Sequence, residues 1–318
     1  MRLTLAALLS LTALPALADP PRVLTDLTPT GALVREVAGD LARVEVLLPG
    51  GAGAHDYQMR PSAARALQEA DLLVWMGPEM TPWLDRPARN LAGANAQLQL
   101  LDVDGTRLRD FGADEDHATD GHADEDHPAD DHPDEHPDEG HADHDHAGID
   151  PHAWLDPANA RPWLLAVADA LAAADPDHAD DYRANADDAA ARIDTAADDL
   201  RARLAPHADR DFVVFHDAYG YFTDAFGLRP AIAVALGDAS APSAGRVDEI
   251  RTRLRESGAV CAFPEYAHDP RLVETAIEGT PIRMGRALSP EGGDGAASDY
   301  AGLLTELGAS LIACFEAE

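Results

Sequence analysis

The sequence predicts an α/β protein in which two regions of alternating strands and helices flank one long helix. Short apolar runs alternate with helical patterns in residues 22–112 and again in 211–318. Strands that alternate with helices are typical of a parallel sheet covered by helices on both faces. Residues 158–205, between the two regions, show only helical spacing. We therefore expect two lobes, each with a central, mostly parallel sheet flanked by helices.

The individual elements follow from local pattern. In chain order, strands are predicted at 23–27, 44–48 and 72–76 with a helix at 61–70, then strands at 212–215 and 260–263 with helices at 247–256 and 300–312. Between these regions, residues 158–174 predict an apolar helix and 176–204 a second one, with Pro176 in its first turn. The second helix would be about 43 Å long at about 1.5 Å per residue. A helix of this length can brace two lobes.

The chain is strongly acidic. It carries 24 basic against 58 acidic residues, for a formal net charge of −34. This charge argues against binding to nucleic acid and against direct docking on anionic lipid, because both surfaces would be repelled. Every basic residue is arginine. The chain therefore has no Walker-A or Schiff-base lysine, and any ATP-driven step belongs to another chain.

The N-terminus has the features of a secretory signal peptide. Arg2 precedes an apolar run at 3–14, which is too short to span a bilayer, and a small-x-small cleavage site ends at Ala18. We expect cleavage after Ala18 and a periplasmic mature chain, with a buried N-terminal helix as the alternative. The predicted segments are a signal peptide at 1–18, an N-terminal α/β lobe at 19–175, a linking helix at 176–205 and a C-terminal α/β lobe at 206–318.

The two cysteines are Cys261 and Cys314. In an exported chain, two cysteines most simply form one disulfide, and two buried free thiols are the alternative. Because Cys261 falls on a predicted strand, the disulfide would connect the C-terminus to the second sheet.

Residues 113–148 differ in composition from the rest of the chain. They contain eight histidines, 15 acidic residues, no arginine and no apolar residue except alanine. Nothing there can be buried to offset chain entropy, so we expect a disordered, exposed insert within the N-terminal lobe. Closely spaced His and Asp side chains can chelate zinc weakly, whereas the alternative is a solvated spacer. The candidate auxiliary ligands are His136, His141, His144 and His146.

Three histidines outside the insert are candidate ligands of a transition metal. His55 follows a predicted strand and a glycine-rich turn, His152 precedes a predicted helix, and His216 ends a predicted strand. Ligands of open α/β sheets bind beyond the carboxyl ends of the strands. Neutral imidazole is a good zinc ligand, and zinc commonly takes three protein ligands plus one more. The three histidines therefore predict a Zn²⁺ site.

Four local patterns resemble the periplasmic solute-binding proteins of zinc and manganese uptake ABC transporters. They are Gly-Ala-His-Asp-Tyr at 53–57 with Arg-Pro-Ser at 60–62, Asp-Pro-His-Ala-Trp-Leu at 150–155, Phe-His-Asp-Ala-Tyr-Gly-Tyr-Phe at 215–222, and Pro-Ile-Arg-Met-Gly at 281–285. The His-rich insert and the cysteine pair are most similar to the zinc-binding members. The resemblance covers essentially the whole mature chain.

This resemblance implies two α/β lobes joined by one long helix, with the metal in the cleft between the lobes. It places His55, His152 and His216 at the ligand positions and pairs the two cysteines in a disulfide. It also implies a membrane permease as partner, driven by a separate ATPase subunit. Such capture proteins are usually monomers.

The fourth ligand is where the sequence departs from the family. Manganese-type members place an Asp after the Arg-x-Gly strand, but residues 288–292 here are Leu-Ser-Pro-Glu-Gly, so we expect that carboxylate to be missing. Ala54 stands where some members have a Glu before the first His. Water, Asp294 or a residue of the insert remain as candidates. The missing carboxylate favours zinc, because manganese prefers oxygen ligands.

The predicted function is high-affinity capture of Zn²⁺ and its delivery to the permease. Two alternatives stay open. A zinc-dependent hydrolase or hydratase could use three histidines with an open position, although the chain has no His-Glu-x-x-His motif. A periplasmic zinc buffer could work through the insert alone. We expect a binding protein rather than an enzyme.

Overall fold

The computed structural model describes residues 19–91, 96–111, 148–237, 239–240, 242–292 and 299–317. The predicted signal peptide and the histidines of the insert lie outside these residues. The first lobe contains β1 (Arg22–Thr25), α1 (Thr28–Ala38), β2 (Arg43–Val46), α2 (Pro61–Glu69), β3 (Leu72–Trp75), α3 (Pro82–Leu91), β4 (Ala96–Gln99) and α4 (Ala160–Ala174). The chain continues with α5 (Ala179–Leu204), β5 (Phe212–His216), α6 (Gly220–Phe226), β6 (Ile232–Ala235), α7 (Ala244–Ser257), β7 (Cys261–Phe263), α8 (Arg271–Ile277), β8 (Arg283–Met284) and α9 (Tyr300–Phe315).

Each lobe is built on a four-stranded parallel sheet, which confirms the predicted fold class. The strand orders are β2-β1-β3-β4 and β6-β5-β7-β8, so the two sheets share one topology. The central strands β3 and β5 are buried along their whole length. Their continuous apolar sequences follow from this burial, because helices cover both faces of a parallel sheet. The edge strand β2 alternates between partly buried and exposed residues.

The long helix α5 spans 26 residues and begins three residues later than predicted. Residues Pro176–His178 form a 3-10 turn instead. The cause is local, since the Asp175 side chain pairs with the His178 ring and accepts a hydrogen bond from the Tyr182 hydroxyl. These two contacts hold the chain in a tight turn just before the α-helix starts. At about 1.5 Å per residue, α5 is about 39 Å long.

Helix α5 packs against both lobes. It contacts α1 and α4 on the first lobe and α6 and α9 on the second. At Gly308 of α9 the two helices approach closely, because a Cβ atom there would lie 2.5 Å from Leu200 Cδ1. One apolar core runs continuously from the first sheet through α5 to the second. The lobes are therefore braced against each other by shared packing.

The structure contains the predicted disulfide between Cys261 on β7 and Cys314. Cys314 lies within α9 and not after it, because this helix extends to Phe315, three residues beyond the predicted end. Arg283 of β8 also donates to the Cys314 carbonyl. The last helix is thus fixed to the second sheet by a covalent bond and a hydrogen bond. Among the described residues, no helix is both long and apolar enough to cross a membrane.

Candidate metal site

The fold brings the three predicted histidines together between the two lobes. His216 is the last residue of β5, His55 lies in the turn after β2, and His152 immediately precedes the 3-10 turn Ala153–Leu155. Their ring centroids are 5.5 Å apart for His55 and His152, 5.2 Å for His152 and His216, and 6.0 Å for His55 and His216. Residues separated by up to 161 positions thus form one cluster.

Glu291 completes this cluster as a fourth candidate ligand. Its carboxylate and one nitrogen from each histidine lie within 4.8 Å of one another. The Asp of the family is absent, as expected, because Ser289 stands in its place. We did not predict Glu291, two residues later, as a ligand, but the fold brings it to the cluster. An acidic residue within the same turn was the available signal. Asp294 and the insert residues, the earlier candidates, lie outside the described residues.

Each buried histidine of the cluster has a carboxylate partner behind its ring. The Nδ1 atom of His152 lies 2.8 Å from Asp150, and the Nδ1 atom of His216 lies 2.6 Å from Glu265. Such partners fix the ring orientation and leave Nε2 to face the ligand. The two Nε2 atoms are 3.3 Å apart. The pairing is consistent with a proton on Nε2 of His216 that points at the lone pair of His152.

The two rings have opposite pKa shifts. Burial, together with the nearby positive charge of His216, lowers the pKa of His152 well below its ordinary value. Burial also acts to lower the pKa of His216, but the charge and hydrogen bond of Glu265 outweigh it and raise this pKa to about 9. In the absence of metal, His152 is therefore neutral at pH 7.5 and His216 is protonated.

Glu291 is a carboxylate in an unusual environment. Its side chain is buried, and its Oε1 atom has no hydrogen-bond partner among the described residues. Burial raises the pKa of Glu291, which the positive charge of His216 opposes. Buried polar atoms are nearly always paired, and an orphaned carboxylate oxygen facing three imidazoles is what a bound cation would satisfy.

A second group of donors lies beside this cluster. His268 stacks on Phe215 with ring centroids 4.2 Å apart, and it is half-buried. Its ligand atoms lie within 4.8 Å of those of His216 and Glu265. Because Glu265 already bonds the His216 ring and the Tyr219 hydroxyl, these residues support the cluster from behind.

The donor set suits zinc. Three imidazole nitrogens and one carboxylate oxygen can provide tetrahedral coordination, which zinc favours, whereas manganese prefers sets richer in oxygen. His152, His216 and Glu291 are buried and His55 is partly exposed.

Solved structures with the same fold are periplasmic metal-binding proteins. The crystal structure of a ZnuA protein superposes with a TM-score of 0.74 at 21% identity, covering 93% of this chain and 99% of that one. The periplasmic zinc-binding protein TroA from Treponema pallidum gives a TM-score of 0.77 at 18% identity, covering 93% and 99%. At these identities the likeness shows the fold alone, a protein of two α/β lobes joined by a long helix.

Sequence relatives identify the family. The profile described as ZnuA, zinc-uptake complex component A, periplasmic, matches residues 23–314. The high-affinity zinc uptake system protein ZnuA of Paracoccus denitrificans is 53% identical over 320 residues, covering 99% of this chain and 98% of that protein. The protein of the same name from Brucella abortus is 36% identical over 282 residues, covering 86% and 84%. The chain therefore belongs to the ZnuA family. These relatives are named as uptake proteins and not as enzymes, in agreement with the sequence prediction.

Proposed function

We propose that this protein captures Zn²⁺ in the periplasm and delivers it to a membrane permease driven by a separate ATPase subunit. The observation that carries the proposal is the convergence of His55, His152, His216 and Glu291 within 4.8 Å. Membership of the family of periplasmic zinc-uptake components supports both the ion and the compartment. The absence of lysine is consistent with an ATPase on another chain.

The state of the ligands supports binding with high affinity. Asp150 and Glu265 already orient two of the imidazoles, so little ordering is needed when the ion binds. The shared core and α5 limit movement between the lobes. We propose that release requires strain supplied by the permease, and that zinc leaves the docked complex faster than it leaves the isolated protein.

The His-rich insert is proposed to collect zinc near this site. The described chain on either side of it is paired near the site, because the Phe111 amide donates to the Gly148 carbonyl and the Asp150 amide donates to the Arg109 carbonyl. Asp150 in turn bonds the His152 ring. Zinc held weakly by His136, His141, His144 or His146 would therefore be tethered next to the cluster.

A zinc competition titration of the full mature protein against a chromophoric chelator tests the capture site. We expect one tight site per chain, and we expect His216→Ala to abolish it. The matched control is His178→Ala, because His178 lies outside the cluster, just before α5, where its ring contacts Asp175 and Tyr182. If His216→Ala keeps the tight site, the cluster is not the capture site, and a buffer that works through the insert would be favoured instead.

A transport assay tests delivery. Zinc-loaded protein is added to vesicles that contain the permease and the ATPase, and zinc uptake is followed with ATP present. We expect ATP-dependent uptake that His216→Ala prevents. If the vesicles take up free zinc as fast as they take up zinc from the loaded protein at the same zinc concentration, the delivery role is contradicted.

A further inference from the structure

The turn that carries Glu291 belongs to the second lobe but is attached to the first. It begins beside β7, where the Leu288 amide donates to the Pro264 carbonyl. The indole Nε1 of Trp154 then donates to the Pro290 carbonyl at 2.5 Å, within the buried interior. Because Pro290 immediately precedes Glu291, this bond fixes the backbone from which the carboxylate extends.

A second contact holds the other side of Glu291. Gly292 has a φ of +104°, and a Cβ atom there would lie 2.2 Å from Pro29 Cδ and 2.9 Å from Thr28 Cβ. Only glycine allows this backbone conformation together with so close an approach to the start of α1. The turn is therefore held against the first lobe on both sides of Glu291.

Trp154 is itself rigidly placed. It is buried, and it lies two residues after His152 in the 3-10 turn Ala153–Leu155. The Tyr300 hydroxyl donates to the Trp154 carbonyl, and the two rings make an edge contact at 6.0 Å. One short turn thus presents His152 to the cluster directly and fixes the backbone of Glu291 through the indole.

We infer that Trp154 is a positioning residue, whose indole N–H holds the Glu291 turn where the carboxylate can complete the coordination of zinc. This inference rests on the zinc site proposed above. Trp154 does not touch the ion. It acts by restricting the backbone that carries the Glu291 carboxylate, which the second lobe alone would not hold beside the three histidines.

A double-mutant cycle on the full mature protein tests the inference. The variants are Trp154→Phe, Glu291→Gln and their combination. The matched control is Trp163→Phe, which removes an equivalent indole hydrogen bond, to Thr106, elsewhere in the first lobe. Zinc affinity is measured by chelator competition, and the visible spectrum of bound Co²⁺ reports the donor set.

We expect Trp154→Phe to weaken zinc binding by about 10- to 100-fold, the usual effect of losing a partner that orients a ligand. The double variant should bind no more weakly than Glu291→Gln alone, because Trp154 acts through that carboxylate. Trp154→Phe should also shift the Co²⁺ bands towards those of Glu291→Gln. Trp163→Phe should leave affinity and spectrum unchanged.

Three results would overturn the inference. The first is a loss of zinc affinity in the double variant that equals the product of the two single losses. The others are a Co²⁺ spectrum of Trp154→Phe identical to that of the wild type, and wild-type zinc affinity in Glu291→Gln. If Trp154→Phe does not fold, Gly292→Ala replaces it, since the added Cβ displaces the same turn. His216→Ala separates the two proposals. Loss of zinc binding in that variant keeps the capture site valid even when Trp154 proves unimportant.

Discussion

Zinc binding should release a proton from His216. The Glu265 carboxylate outweighs burial and raises the pKa of this imidazole to about 9, so its Nε2 atom carries a proton when no metal is bound. That proton occupies the position that a zinc ion would take. His152 contributes none, because burial lowers its pKa and keeps the ring neutral.

The size of the effect follows from these two shifts. At pH 8, one unit below the pKa of His216, about nine molecules in ten are protonated, so about one proton leaves per zinc bound. Because zinc competes with a proton that is bound below pH 9, affinity falls as the pH falls. Between pH 8 and pH 7 the apparent affinity should decrease by at least about tenfold, equivalent to about 1.4 kcal/mol, because the raised pKa of Glu291 adds proton competition in the same direction.

Isothermal titration calorimetry in buffers of different ionisation enthalpy measures the protons released. Glu265→Gln removes the charge that raises the pKa of His216, and burial then keeps the ring neutral, so the release at pH 8 should fall to nearly zero. Tyr219→Phe is the control, since it removes the hydroxyl that donates to Glu265 and leaves the charge in place. The reasoning fails if the wild type releases no proton, or if Glu265→Gln releases as many as the wild type.

Three further predictions follow from other parts of the structure. Replacing Cys261 and Cys314 by serine should lower the free energy of unfolding by about 2–4 kcal/mol, measured with denaturant on the metal-free protein, and should leave zinc affinity unchanged; a marked loss of affinity would contradict this. Deleting residues 113–147 should abolish the weakly bound zinc ions seen in a calorimetric titration and keep one tightly bound ion per protein. Loss of the tight site would show instead that the insert supplies a ligand. Asp26→Ala should destabilise the protein by about 2 kcal/mol or more, because the buried amides of Leu27 and Met76 lose their acceptor; thermal unfolding equal to that of the wild type would refute this assignment.

The fold was largely predictable because its central strands are apolar and its helices alternate with them. Two of the elements that escaped prediction, β4 and α3, have weak local patterns. Strand β4, with the sequence Ala-Gln-Leu-Gln, lies at a sheet edge and is mostly exposed or partly buried. Helix α3 contains Pro87, which normally argues against a helix. In both cases tertiary packing decides the structure, and local sequence does not encode that packing.

The site was only partly predictable for a different reason. The histidines are chemically distinctive, and two of them, His55 and His216, follow or end a strand, so their type and position indicated a metal site. Glu291 is one of many acidic residues in this chain, and its selection depends on the placement of the 288–292 turn by Trp154 and Gly292. Those contacts join residues that are more than a hundred positions apart, beyond the reach of local pattern.

The most direct test of the central claim is anomalous diffraction at the zinc absorption edge from crystals of the zinc-loaded mature protein. We predict one strong peak that marks a zinc ion between the lobes. This ion should be bonded to nitrogen atoms of His55, His152 and His216 at about 2.0–2.1 Å and to an oxygen of Glu291 at about 2.0–2.2 Å. A peak located elsewhere, or one bonded to fewer than three of these imidazoles, would contradict the account.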